Sequence, residues 1–441
     1  MLTCKPLISM LSKKYLEFKK LIKSQGKLFA GSGLLTFIRL SSGLVLLKIT
    51  AIIGGNSGVA IYGQAHNMVT MMNGIMASGA GEGVVKMTAQ NQDNPSTINK
   101  IKIGSILLIS LCAIFILILS SIFWLPLINW ASIGNLSWFQ IIIYMFGAIL
   151  ASIGTLLVSL CNGFQLLEKV IKTNIVSIIT ALITSGIILF LIGDSFITII
   201  PAIYLGFIGV FQIAILIKKI KLPLNIFNMI NLSILKQLAG FMTMAMGSFF
   251  LTPFVLITIR GWLIQDYGAD LAGDWESSRK LLELITGLLT AYFAMVLLPK
   301  LAKINENKAL RSEVLNNAMV LMVLSSVAFI LMYVLRDQVY NVVFSPSFIF
   351  SSELMSSRAI GEFLRGLVWI FGFILVVKAK VKLYLLMSFI YAFILLCSSW
   401  FMIANYGLIG ANYAYVASNF LMLMLSMFIF YQITLDQQYE R

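Results

Sequence analysis

Three charged residues, Arg358, Glu362 and Arg365, lie in an apolar stretch long enough to cross a bilayer. Only twelve uncharged residues separate Arg365 from Lys378, whereas a helix needs roughly 20 residues to span the hydrocarbon core. No choice of helix ends moves Arg365, or Glu362 before it, out of the membrane. The spacing i, i+4, i+7 places the three side chains on one helix face. An intramembrane charge costs at least about 2.5 kcal/mol unless it meets a partner or water, so this face is predicted to line a wet functional cavity.

Other predicted spans also carry basic residues. Arg39 falls near the middle of the first span, and Lys48 lies towards its far end, where it could instead extend to the interface. The basic set predicted to bind substrate is Arg39, Lys48, Arg260, Arg279, Lys280 and Arg365. These bases outnumber the acids of the same spans, which favours an anionic substrate. Arginine in particular is suited to bidentate contact with phosphate.

Three titratable residues, Glu283, Glu362 and His66, are candidates for coupling transport to an ion gradient. Sixteen uncharged residues separate Glu283 from Lys300, which predicts that Glu283 is intramembrane. A carboxylate among bases either binds a proton or cation or forms a structural ion pair, and the sequence leaves both roles open. His66, the single histidine, is either a polar packing residue or a proton carrier.

The composition restricts the protein to one broad class. Of 441 residues, 59% are hydrophobic and 11% are charged, with a mean hydropathy of +0.95, which excludes an ordinary soluble domain. The net charge of +15 comes largely from lysines in short segments between apolar runs, so it predicts cytoplasmic loops rather than a nucleic-acid partner. The four cysteines show no metal or redox spacing, and no ATP-binding loop is present. We therefore expect no metal and no cofactor, with a proton or sodium gradient as the energy source.

The apolar runs predict about twelve transmembrane helices in an all-α polytopic membrane protein. Basic loops alternate with base-free loops, which predicts that both termini are cytoplasmic. EKVIK at 168–172 and AKVK at 379–382 occupy corresponding loops about 210 residues apart, which predicts two parallel-repeat six-helix lobes around a central cavity. The predicted segments are a basic tail (1–27), a first lobe (28–217), a linker (218–233), a second lobe (234–432) and a second tail (433–441). The first tail could be an amphipathic helix on the membrane surface or a solvated chain.

Two stretches resemble a known family: GEFLRGLVWIFGFILVVKAKVKLY at 361–384 and GDWESSRKLLELITGLLTAYFAMVLLPKLAKI at 273–304. They are similar to the Wzx-type flippases of the multidrug/oligosaccharidyl-lipid/polysaccharide superfamily, and most of all to the enterobacterial-common-antigen branch. That branch places acids at the positions of Glu283 and Glu362 and a base at that of Arg365. Arg279 and Lys280 match no feature of the family.

The resemblance implies a flippase, not an enzyme, in the bacterial inner membrane. It implies that undecaprenyl-diphosphate-linked O-antigen or similar units cross from the cytoplasmic to the periplasmic leaflet by alternating access. Its expected partners are this glycolipid, membrane lipids, and a glycan polymerase with its chain-length regulator. A multidrug or cation antiporter of the same superfamily is the nearest alternative, although cationic drugs need acids. A membrane glycan polymerase or ligase is the alternative from another class, but the longest external loop is only about 20 residues.

Overall fold

A computed structural model describes residues 5–134, 136–220, 229–292, 297–301, 304, 306–344, 351–378 and 380–435. For residues 5–30, 78–79, 124, 219, 244–248, 290–292 and 298–299 it describes the backbone alone. The described residues form helices joined by short turns, as the long apolar runs predict. The side chains of the predicted tail at 1–27, residues 221–228 of the predicted linker and residues 436–441 lie outside this description. The predicted segment limits stay predictions.

The first lobe is built from α1 to α7 and the second from α8 to α16. The helices of the first lobe are α1 (Lys5–Asn73), α2 (Gly79–Gln90), α3 (Pro95–Ile122), α4 (Trp124–Ala131), α5 (Trp138–Gly163), α6 (Leu167–Ile192) and α7 (Ile200–Leu216). Those of the second lobe are α8 (Leu232–Met246), α9 (Thr252–Tyr267), α10 (Ala269–Tyr292), α11 (Leu298–Leu301), α12 (Asn307–Val334), α13 (Arg336–Val343), α14 (Ser352–Val377), α15 (Val381–Tyr406) and α16 (Gly410–Leu435).

The two lobes repeat one another. Helices α5 and α14 both have 26 residues and begin 214 positions apart, at 138 and 352. Helices α6 and α15, also of 26 residues, begin at 167 and 381, again 214 apart. Helices α3 and α12 have 28 residues each and begin at 95 and 307, which are 212 apart. The repeat predicted from the lysine-containing loops at 168–172 and 379–382 is therefore also present in the lengths and spacing of the helices.

Twelve membrane crossings account for the described helices. Eight segments are long and apolar enough to span, and two of these, Gly31–Gln90 and Val381–Leu435, have 60 and 55 residues. Each of the two contains a glycine with positive φ, Gly55 (61°) or Gly407 (67°), and so holds two crossings. The α8–α9 pair is already counted through its apolar segment Phe249–Tyr267, and helix α7 and the charged helix α10 supply the remaining two crossings.

The seventh crossing is broken in its middle. A π-helical turn, Gly247–Leu251, separates α8 from α9, and Pro253 follows in the first turn of α9. The sequence predicts a kink at Pro253, and the break lies just before it because proline cannot donate a backbone hydrogen bond to the preceding turn. Helix α9 packs against α10 and α15 of the second lobe and also against α1 of the first lobe, whereas α8 packs on α2 and α3 of the first lobe. One crossing therefore belongs to both lobes.

The lobes are closed against each other at the end that contains the turns at Gly55 and Gly268, which we call the Gly55 end. The Asn56 amide donates to Asp274 Oδ1 at 2.7 Å, and the Ser57 backbone N–H donates to Asp270 Oδ1 at 3.1 Å. Helices α1 and α10 run side by side from this end as far as the contact of Leu40 with Gly287.

Candidate functional site

The predicted polar face of α14 is present, but two of its three charges are sealed from solvent. Arg358 and Glu362 are 2% and 1% exposed, and Arg358 Nη2 donates to Glu362 Oε1 at 2.6 Å. The Tyr415 hydroxyl of α16 also donates to that oxygen, at 2.9 Å, and accepts from Arg365 Nη1 at 3.0 Å. Gly361 lies against the Tyr415 ring, where a Cβ would collide with it. The sequence Gly361–Glu362 therefore admits the tyrosine that covers the ion pair.

Arg365 is half-buried and faces a cavity of about 410 Å³. Its guanidinium lies 4.9 Å from the centre of the Trp369 ring, one helical turn further along α14. The cavity is lined by α9, α14, α15 and α16, with the π-helical Leu251, so it lies inside the second lobe. The face was expected to be wet along its whole length, but Tyr415 closes off the part formed by Arg358 and Glu362.

A second group of charges lies on α9 and α10. Glu276 is fully buried between two arginines, with Arg260 Nη2 at 2.6 Å from Oε2 and Arg279 Nη2 at 2.7 Å from Oε1. Arg279 Nη1 also reaches Glu283 Oε1 at 3.0 Å, and Lys280 lies 3.2 Å from the other oxygen of Glu283. Each arginine keeps a carboxylate partner, which offsets the cost of burying it.

One hydrogen-bonded side chain of the first lobe joins this second group. Gln64 Oε1 accepts from Arg260 Nη1 at 2.8 Å, and Gln64 Nε2 donates to the Ile257 carbonyl at 3.0 Å. Gly63 precedes it, and a Cβ there would lie within 3.0 Å of Glu276 and Arg260. Glycine at this position lets α1 approach the buried charges closely enough for Gln64 to reach them.

The two groups together form what we call the charged belt: Arg260, Glu276, Arg279, Lys280, Glu283, Arg358, Glu362 and Arg365. Arg365 and Arg358 lie close enough to the Glu283 carboxylate to act on it electrostatically, so the groups are coupled. Five bases face three acids. Glu283 and Lys280 keep 37% and 24% of their side-chain surface exposed, and these two residues and Arg365 are the accessible part of the belt. The accessible part can bind an anion.

The structure separates the predicted basic residues into two sets. Arg260 and Arg279 are buried against Glu276, out of reach of a substrate in this conformation. Lys48 donates to the Val342 carbonyl of α13, which ties the lobes together near the Gly55 end. Arg39 is exposed and acts electrostatically on Tyr204 of α7. The roles assigned to these residues stay predictions.

His66 faces the charged belt from the first lobe. Its ring stacks on Tyr62 with centroids 6.0 Å apart, and Nδ1 is buried without a hydrogen-bond partner among the described residues. Lys280 and Glu283 both act on it electrostatically. This position is compatible with a role for His66 either as a polar packing residue or as a proton carrier.

Sequence reasoning missed Gln64 and Tyr415 as members of the site. Both lie in apolar surroundings, YGQAH and NYAYVA, where neither spacing nor charge distinguishes them. Within the described part of the chain, no group of three or more histidine, cysteine, aspartate or glutamate side chains could hold a metal ion.

The repeated six-helix lobes and the charged interior define a multi-pass membrane protein with a transporter fold. Residues 28–305 match the polysaccharide biosynthesis protein family, and the chain belongs to that family. Two relatives are named lipid III flippase, one from Escherichia coli (strain K12) and one from Shigella flexneri. Each is 22% identical over 396 residues, which covers 87% of this chain and 92% of the relative.

Solved structures share the fold. The lipid II flippase MurJ in an inward closed conformation matches with a TM-score of 0.71 at 16% identity, over 92% of this chain and 90% of that chain. A mutant of the Vibrio cholerae MATE transporter VcmN matches with a TM-score of 0.65 at 17% identity, over 94% and 98% of the two chains. The expected all-α architecture of about twelve transmembrane helices is thereby confirmed.

Proposed function

We propose that this protein is a flippase that translocates an undecaprenyl-diphosphate-linked oligosaccharide across the bacterial inner membrane. The substrate is the lipid-linked unit of enterobacterial common antigen or a related O-antigen. The observation that carries the proposal is the accessible part of the charged belt, where Arg365, near the middle of the 26-residue α14, and Lys280 offer cationic groups to a diphosphate. The family and the lipid III flippases among its relatives support the lipid-linked glycan as substrate.

Alternating access follows from closure of the lobes at one end. The hydrogen bonds of Asn56, Ser57 and Gln64 hold the Gly55 end shut, and the positive-inside rule assigns this end to the periplasm with both termini cytoplasmic. Substrate enters from the cytoplasmic side and leaves when these bonds break. Most of the prenyl chain stays in lipid, and released units pass to a glycan polymerase and its chain-length regulator.

A proton or sodium gradient supplies the energy in this proposal, with no cofactor and no catalytic step. Glu283 is the coupling carboxylate that the site favours, because it is partly exposed and faces His66 across the lobe boundary. Glu362 is sealed in its ion pair with Arg358, an arrangement that favours its structural role.

The test is deletion of this gene alone, followed by complementation. We expect lipid-linked units to accumulate on the cytoplasmic leaflet and surface glycan to disappear. Arg365→Ala should insert normally and fail to restore glycan, whereas Arg311→Ala, which removes an arginine stacked on Tyr431 outside the belt, should restore it. Near-normal glycan with Arg365→Ala would overturn the assignment. Unjoined single units at the surface would instead indicate a polymerase, and altered drug resistance without a glycan defect would indicate a multidrug antiporter.

A further inference from the structure

The cavity of the second lobe extends along α14. One end is at Arg365, and the other is at Val376 and Tyr384, which flank the turn between α14 and α15 and are both exposed. Arg365 and Val376 are eleven residues apart on one helix, a rise of about 16 Å. At about 410 Å³ the cavity is within the range of small-molecule sites.

The break in the seventh crossing explains why this space is left unfilled. Leu251, Thr252, Val255 and Leu256 form the cavity wall at the start of α9. Beyond the π-helical turn the chain leaves the second lobe, because α8 packs on α2 and α3. No continuation of α9 therefore covers the described faces of α14 and α15 towards their shared turn.

The lining has one cationic end and an otherwise largely apolar wall. Of the five N–H donors of Arg365, the described hydrogen bonds use one, to Tyr415. The wall towards the α14–α15 turn is supplied mainly by aliphatic and aromatic side chains: Val368, Trp369, Phe373, Leu375, Val376 and Met387. An occupant that satisfies both ends carries a negative charge on a narrow apolar chain.

We propose that this cavity binds the phosphate and the first isoprene units of a polyprenyl phosphate, with the phosphate on Arg365 and the chain along α14 and α15. The proposal rests on the proposed function and names the part of the substrate that this lobe holds. The glycan then extends past Arg365 towards Glu283, on which Arg365 acts electrostatically, and towards Lys280, which is paired with Glu283. A double-chain phospholipid shares the chemistry, so its competition for the cavity is the alternative outcome of the test.

Gly372 provides the decisive variant. It lines the cavity, and a Cβ built on it meets no atom within 4 Å, so Gly372→Leu fills the cavity without an initial clash. Gly240 on α8 is equally open and lies outside the cavity lining, so Gly240→Leu is the matched control. Arg365→Ala removes the cationic end independently. Monodispersity and helical content of each purified full-length variant establish that it folds.

Binding is measured on detergent-solubilised protein with undecaprenyl monophosphate, which has no glycan, by native mass spectrometry. We expect wild-type and Gly240→Leu protein to bind it, Gly372→Leu and Arg365→Ala to bind at least about tenfold more weakly, and dioleoylphosphatidylglycerol to compete poorly. Wild-type affinity in folded Gly372→Leu would overturn the proposal. Equal competition by phosphatidylglycerol would also overturn it, because the site would then take a bilayer lipid.

Different outcomes would refute the proposed flippase function and the proposed polyprenyl phosphate site. Wild-type protein in proteoliposomes reports whether the lipid-linked oligosaccharide is moved, independently of binding in detergent. No translocation together with Gly372-dependent binding of the polyprenyl phosphate would refute the proposed function and leave the site standing. Normal translocation by a Gly372→Leu protein that also binds normally would refute the site alone.

Discussion

Replacing Gln64 with leucine should weaken closure of the Gly55 end. Gln64 is fully buried, and its amide makes two hydrogen bonds to α9, one to the Arg260 guanidinium at 2.8 Å and one to the Ile257 carbonyl at 3.0 Å. Leucine has a similar size and no polar atoms. The substitution therefore removes these two hydrogen bonds between the lobes while largely preserving their packing.

The magnitude follows from the types of bond lost. A hydrogen bond to a charged group contributes about 1.5–3 kcal/mol and a neutral one about 0.5–1.5 kcal/mol. When the lobes part, water can reach Arg260 and the Ile257 carbonyl, so the loss falls on the closed arrangement. Leucine recovers about 1 kcal/mol through its additional apolar burial. The net effect is about 2 kcal/mol, or roughly a 30-fold rise in the open population.

Cysteine labelling at Ala60 measures this population. Ala60 is fully buried in a cluster shared with Val255 and Ile259 of α9, so Ala60→Cys reacts with a maleimide only when the lobes part. The labelling rate is proportional to the open population when opening and closing are faster than the reaction. In a background without the native cysteines, Gln64→Leu should raise the rate roughly 30-fold.

The matched control is Gln265→Leu. Gln265 also bridges the lobes, to the Asn129 carbonyl at 3.4 Å and the Ser132 hydroxyl at 3.2 Å, but these bonds are exposed and compete with water. We expect less than about a threefold change. Equal acceleration by both variants, or no acceleration by Gln64→Leu, would refute the idea that the buried glutamine holds this end closed.

Two further substitutions test the charged belt. Glu276→Gln leaves two buried arginines without their shared carboxylate and should lower stability by about 3–5 kcal/mol, seen as a lower unfolding temperature in detergent. Glu168→Gln, in an exposed pair with Lys172, should change stability by less than about 1 kcal/mol, and equal losses would contradict the argument. Tyr415→Phe removes the hydroxyl between Glu362 and Arg365 and should reduce translocation roughly tenfold with normal insertion. Tyr413→Phe on the same helix, whose exposed hydroxyl donates to Glu353, should transport normally; a defect there as large as that of Tyr415→Phe would count against the role of Tyr415.

The sequence was sufficient to place Glu362 and Arg365 inside a long apolar helix. The distance from Arg365 to Lys378 is too short for any other placement, and the glycines near 55 and 407 mark real breaks between crossings. These predictions depend on helix length and backbone conformation, which are local properties. The two-lobe repeat could also be predicted, because corresponding loops carry similar lysine patterns.

The sequence could not predict which charges are accessible. Arg260 and Arg279 were expected to bind substrate, yet both are buried, because Glu276 lies between them and Gln64 arrives from the other lobe. Tyr415, which lies on α16, 53 residues further along the chain, likewise seals Glu362 from solvent. Accessibility depends on such long-range contacts, and neither hydropathy nor spacing encodes them.

Comparison of the repeats shows that the charges of the belt belong to one lobe. At the offset of 214 residues between α5 and α14, Arg358 corresponds to Tyr144, and the positions of Glu362 and Arg365 correspond to Ala148 and Ala151. The Tyr144 hydroxyl donates to the Ala65 carbonyl within the first lobe. The same helix is thus charged in the second lobe and uncharged in the first.

This asymmetry lowers the free-energy cost of separating the lobes. Every described ion pair of the charged belt lies within the second lobe, so rocking the lobes apart leaves Arg260 with Glu276 and strands no buried charge. The contact of the belt with the first lobe is made through Gln64, a neutral side chain whose hydrogen bonds water can replace. An ion pair at that position would hold the closed state too tightly for turnover. The neutral glutamine lets the second lobe keep its substrate site intact while the first lobe moves.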